Sequence, residues 1–384
     1  MIDISGSGQL PLLTQRLSDL RASPVRAMLE ASQKPDVISF AGGLPAPETF
    51  AKATLPASAE AALQYGPSEG EPRLRALIAE ELQAIGLDCD ADQVLILSGS
   101  QQGIDLSAKL TVDAGTRIAV ESPTYLAALQ VFRFFGAAFE SMPPDLSVNW
   151  TRQDHPAMAY IIPTFQNPTG RCWSADEREA FAHNCEASDV ILFEDDPYRD
   201  LAYEACERRP VASWMKQGSW IYQGSFSKTL SPGLRLGFMV ASRDLYPHLL
   251  LLKQAADLHS NRLSQYMVID QLTAPDRAAR RDFLVSTYRA RRDAFADAMR
   301  RHLGNAVEWQ VPPGGLFFWL TLPDHVDVDA LLAAAIKRKV LFTPGRPFYA
   351  DEALASPSIR LNFSHASQEA ADAGLAILGD LLRA

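Results

Sequence analysis

Cysteine is scarce. The 384 residues hold four, Cys89, Cys172, Cys185 and Cys206, with no C-x-x-C pair among them, which argues for reduced thiols in a cytosol-like compartment. Long apolar runs are missing too. None approaches the roughly eighteen residues a spanning helix needs, and Met1-Ile2-Asp3-Ile4-Ser5 has no basic stretch leading into an apolar one. Neither a membrane span nor an export signal is expected, and the expected location is cytoplasmic. Basic charge is outweighed: 36 Lys and Arg against 46 Asp and Glu leave a net charge of −10. Without a basic stripe, nucleic-acid partners are not expected. There is no internal repeat and no low-complexity tract.

The rest is an ordinary globular composition, 47% hydrophobic and 21% charged, in a chain too long for one small core. Apolar runs alternate with helix-length stretches: VLIL at 94–97, RIAVE at 117–121, AYIIP at 159–163, VILFE at 190–194, WIYQG at 220–224 and GFMVA at 237–241. Runs apolar on both faces predict an α/β domain with a mostly parallel sheet covered by helices. The last two lie too close for a helical crossover, so one is expected to run antiparallel to its neighbour. Past residue 275 a charged helical stretch leads to alternating segments around LFFWLTL (316–322) and SIRLNFS (358–364). The expected organisation is a large α/β domain over 49–275 and a smaller α+β domain over 276–384, which the N-terminal segment 1–48 joins.

Ligands of such sheets gather beyond the carboxyl ends of the strands. After VLIL, Ser98-Gly99-Ser100-Gln101-Gln102-Gly103 opens a helix, a natural seat for phosphate. After RIAVE, Tyr125 brings a ring to the same crevice. After AYIIP, Asn167-Pro168-Thr169-Gly170 is turn chemistry that also holds an amide rigidly. After VILF, Glu194-Asp195-Asp196 puts three adjacent carboxylates at a buried strand end, which is costly unless one meets a cation. After WIYQG comes Ser225-Phe226-Ser227-Lys228, with Arg235 seven residues on. A lysine amine, a phosphate seat, a stacking ring, a fixed amide and a buried carboxylate are the parts that hold pyridoxal 5′-phosphate.

The chain also resembles a known family. FAGGLPAPE (40–48), QYGPSEG (64–70), SGSQQ (98–102), NPTG (167–170), EDDPY (194–198) and SFSKTLSPGLRLG (225–237) are similar to motifs of the class I/II aminotransferases of fold type I, closest to the 2-aminoadipate branch. That branch also resembles the effector domains of MocR regulators. The resemblance implies that Lys228 is the Schiff-base lysine and proton shuttle, that Asp195 rather than Asp196 faces the pyridine nitrogen, and that Tyr198 and Asn167 share the ring's phenolic oxygen. It implies that Tyr125 stacks on the ring and that Ser100, Gln101, Ser225, Ser227 and Arg235 hold the phosphate. Tyr65 would reach the phosphate of a partner subunit, so a homodimer with shared sites is implied. Arg360 would bind the substrate α-carboxylate beside Gly43, and Arg26 the distal carboxylate of an acidic substrate. The implied activity moves an amino group from an L-amino acid (2-aminoadipate, glutamate, leucine-like or aromatic) to a 2-oxo acid such as 2-oxoglutarate. A lyase or synthase on the same scaffold would keep every cofactor contact. A MocR-like regulator would need a DNA-binding domain, for which the residues before Phe40 are too few.

Overall fold

The computed structural model describes residues 14–17, 36–51 and 57–383. Seven strands form the main sheet: β2 (Val94–Leu97), β3 (Arg117–Val120), β4 (Ala138–Ser141), β5 (Met158–Ile161), β6 (Ile191–Asp195), β7 (Trp220–Ser225) and β8 (Gly237–Ala241). Their spatial order is β2-β8-β7-β6-β5-β3-β4. β8 runs opposite to the other six strands, so it is the reversed strand that the short β7–β8 connection demands. β4 is an edge strand that none of the apolar runs announces, because its residues are exposed or half-buried.

The sheet is apolar on both faces because helices cover both. Ile96, Ala159, Leu192 and Tyr222 pack with Leu74, Ile78 and Phe181 on one side. Their neighbours Leu95, Leu97, Met158, Tyr160, Phe193 and Ile221 pack with Ile104, Leu129 and Phe132 on the other. Strand neighbours point to opposite faces, so an uninterrupted apolar run is what a doubly covered strand requires. Each large apolar side chain buried in this way contributes about 1.5–3 kcal/mol.

A third cluster joins Phe40 and Ala46 to residues of the long helix Arg277–His302, the final helix Gln368–Arg383 and a second sheet. That sheet is antiparallel, ordered β12 (Thr343–Pro344), β13 (Ser358–Asn362), β10 (Phe317–Thr321), β9 (Glu308–Trp309). Beside it β1 (Ile38–Ser39) pairs in parallel with β11 (Val340–Leu341), which carries the Ala41–Ala46 segment toward Arg360 of β13. Among the described residues no helix is long and apolar enough to cross a membrane.

Candidate active site

Every strand of the main sheet except β8 points its carboxyl end to one edge, and the motif residues follow those ends. Lys228 stands three residues past β7, and its Nζ donates to the Gly43 carbonyl at 2.9 Å. Gly43 sits close to both: a Cβ there would lie 3.1 Å from the Phe317 ring, a tight contact, and 3.9 Å from the Lys228 amine. Burial, then the charges of Arg360 and Arg235, push the Lys228 pKa down to about 8. A lysine far closer to neutrality at physiological pH is primed as a nucleophile and as a base.

Asp195, the last residue of β6, is buried, and it is near enough to Tyr125 that its charge, after burial, pushes that phenol's pKa up. Burial raises Asp195 to about 6, against the hydrogen bonds of Gln223 and Tyr160, which lower it. The two adjacent aspartates go opposite ways, as successive residues at a strand end do. Asp196 accepts from the Tyr222 hydroxyl at 2.9 Å and feels Arg199, while Glu194 lies 3.9 Å from the fully buried Arg178. The cations that the acidic triplet needs are therefore Arg178 and Arg199 for its outer members, and Asp195, on the opposite face, has no cationic partner among the described residues. Near it Tyr198 packs edge-on to Phe317, with ring centroids 5.8 Å apart, and burial holds its phenol pKa above the ordinary value while the nearby Asn167 side chain works against that.

The helix Ser100–Thr111 begins at Gly99, whose φ of 85° and ψ of 157° are in a region essentially reserved for glycine, and no side chain caps it. Its first amides are thus available to an anion. Arg235 is exposed and lies against this end: a Cβ on Gly99 would come within 2.5 Å of its Nη2. Ser100 and Gln101 sit in the first turn, and across the gap Ser225 accepts from the Ser227 amide at 3.2 Å. Gly237 closes the wall, since a Cβ there would meet the Ser100 amide nitrogen at 2.9 Å.

Arg360 is 4% exposed, yet among the described residues no carboxylate pairs with it. Its guanidinium donates to Asn167 Oδ1 at 2.7 Å and the Ala41 carbonyl at 2.8 Å, and stacks over Phe317 at 4.1 Å and Phe348 at 5.0 Å. Its Nε has no hydrogen-bond partner among the described residues. Burial pulls its pKa down to about 10, which still leaves it charged. A buried cation without an anion is a built receptor for one.

Tyr65 is not among these groups: it is 76% exposed, edge-on to His259 on the surface. Arg26 lies outside the described residues. Three neighbours escaped the sequence reading. Tyr160 and Gln223, each inside an apolar run, flank Asp195. Lys253, fully buried, ties Gln102, Asp257 and Ser260 together behind the Gly99 turn. The polar letters in AYIIP and WIYQG were the available signal for the first two. A lysine within a helical pattern gave none for the third.

Comparison with known proteins agrees with this geometry. The family model for aminotransferase class I and II matches residues 36–378. Aromatic-amino-acid aminotransferase 1 of Thermococcus litoralis is 32% identical over 96% of this chain and 94% of its own. The 2-aminoadipate transaminase of Thermus thermophilus is 34% identical over 95% and 94%. Among solved structures, Thermus thermophilus LysN, an alpha-aminoadipate aminotransferase complexed with N-(5′-phosphopyridoxyl)-L-leucine, superposes with a TM-score of 0.87 at 32% identity, covering 97% of both chains. The crevice fits such a group on its own terms, with a depressed lysine, a buried carboxylate and an uncapped helix end within one wall. The chain belongs to the class I and II aminotransferases of fold type I, and it is a pyridoxal 5′-phosphate-dependent transaminase.

Proposed function

We propose that the chain transfers amino groups from acidic and large apolar L-amino acids to 2-oxoglutarate, as a homodimer whose subunits share their sites. The observation that carries the substrate reading is Arg360: a buried guanidinium with an unpartnered Nε, next to the lysine amine, suits an α-carboxylate. The large and small domains are assigned to 49–275 and 276–384, with 1–48 joining the latter, so that Arg360 comes from one and Lys228 from the other.

When bound, pyridoxal phosphate supplies the electron sink that makes the substrate Cα–H acidic and carries the amino group between the two acids. Lys228 would anchor the cofactor, and its amine, when free, would hold and move the proton at Cα. Asp195 would keep a proton on the ring nitrogen, and Tyr198 and Asn167 would hold the ring's phenolic oxygen. Tyr125 would stack on the ring. Ser100, Gln101, Ser225, Ser227 and Arg235 hold the phosphate, with Tyr65 of the partner subunit completing its seat. Arg360 and the close approach at Gly43 fix the α-carboxylate. Arg26 pairs with a distal carboxylate when the substrate has one.

A donor panel with 2-oxoglutarate tests this reading. Stoichiometric glutamate should form from 2-aminoadipate, leucine and aromatic donors. Arg26→Ala should lower catalytic efficiency for 2-aminoadipate by about thirty- to a thousand-fold, the loss of a desolvated ion pair, and should barely touch leucine. Equal losses for both donors would remove Arg26 from the selectivity role, and turnover of amino acids without glutamate would remove transamination to 2-oxoglutarate.

A further inference from the structure

The Asp195 carboxylate is held from below by two side chains on the strands either side of its own. Tyr160 of β5 donates its hydroxyl to Oδ2 at 2.7 Å, and Gln223 of β7 donates its amide to Oδ1 at 2.9 Å. Both are fully buried. The Tyr160 ring is wedged edge-on between Phe132 and Phe193, at 5.6 and 5.3 Å between centroids, so its hydroxyl has one direction to point. Gln223 is less comfortable. Its Oε1 is buried with no hydrogen-bond partner among the described residues, and a Cβ on Gly103 would lie 1.8 Å from that oxygen. A buried orphan acceptor is costly, and a leucine or methionine in its place would remove the cost. Packing alone does not explain why a glutamine stands there.

We propose that Tyr160 and Gln223 are positioning residues for the cofactor's ring nitrogen, acting through Asp195, and that Gly103 is the space the Gln223 amide needs. The proposal rests on the assignment of Asp195 to that nitrogen. An amide NH₂ can only donate, so Gln223 demands an acceptor at Oδ1, and the ionised carboxylate supplies one with lone pairs to spare. With both oxygens satisfied on the sheet side, the carboxylate plane is fixed and the remaining lone pairs face the crevice. The two bonds also work against burial, which favours the neutral acid. A neutral Asp195 would no longer hold a proton on the ring.

The test uses holoenzyme loaded with pyridoxal phosphate labelled with ¹⁵N in the ring, its resonance followed against pH. In the unaltered protein the nitrogen should stay protonated well above neutrality. Tyr160→Phe and Gln223→Met should each move the loss of that proton downward by about one pH unit, with kcat lowered about tenfold and KM nearly unchanged. Gly103→Ala should reproduce the Gln223→Met shift, and should add nothing in the Gln223→Met background. Tyr160→Phe changes one hydroxyl, so its result stands even if Gly103→Ala does not fold. Asp195→Asn is the reference. If it shifts the resonance while Tyr160→Phe and Gln223→Met leave it in place, the positioning role is overturned. If Asp195→Asn itself leaves the resonance unmoved, the assignment of Asp195 falls instead.

Discussion

At the scale of single residues, the site keeps charged groups under strain, and Lys228 shows the cost. Its pKa falls from 10.5 to about 8 on folding. Between those values the unfolded chain binds a proton that the folded chain has released, so stability rises with pH across that window. Below about pH 8 both states are protonated, and the folded state carries the full penalty, about 3 kcal/mol. Lys228→Met should therefore make the cofactor-free protein more stable near pH 7, by an amount that shrinks as the pH climbs through the window. Denaturant unfolding at a series of pH values measures it, and a gain independent of pH would mean that the amine is not the strained group. The same variant should have no turnover and no visible band that borohydride can fix. Sequence made this lysine conspicuous through its motif. The carboxylate beside it was ambiguous from the residues alone, because Asp195 and Asp196 differ only in which side of the sheet they face.

At the scale of elements, legibility followed burial. Strands covered on both sides wrote themselves as apolar runs, and six of the seven in the main sheet were read from them. β4 was not, since an edge strand with half-exposed residues has no such signature. The reversal of β8 followed from the shortness of its connection. What stayed hidden is the tertiary chemistry. Nothing local says that Lys253 will be drawn into a buried knot with Asp257, Gln102 and Ser260, or that Gln223 will turn its amide to Asp195. The start of the Ser100–Thr111 helix combines both kinds of information: its glycine was legible, the reason for it was not. Gly99→Ala meets a forbidden backbone region and the Arg235 guanidinium together. It should cost about 1–3 kcal/mol of stability and weaken cofactor binding more than tenfold, measured by titrating the cofactor-free protein. Unchanged affinity would detach this helix end from the phosphate.

At the scale of the whole molecule, the turn around Tyr65 presents exposed apolar side chains. Leu63 and Tyr65 are each 76% exposed and Leu258 is 47% exposed, while Arg262 holds the turn beneath them through the carbonyls of Ala61, Gln64 and Tyr65. A rigidly held turn presenting apolar side chains fits a dimer interface. If Tyr65 serves the partner's site, Tyr65→Ala and Lys228→Ala protomers, each impaired alone, should regain activity when mixed and refolded together. The mixed dimer has one intact site, made of Lys228 from one subunit and Tyr65 from the other. No recovery, with mixed dimers demonstrated by differential tagging, would place Tyr65 in its own subunit's site or in none. The contact between Lys228 and the Gly43 carbonyl carries a last consequence. Once the amine is committed to the cofactor, that carbonyl loses its donor, so the Ala41–Ala46 segment registers whether the lysine is occupied. Loading can thus be followed by a carbonyl-¹³C signal at Gly43, a reporter already built into the backbone and needing no dye, substrate or turnover.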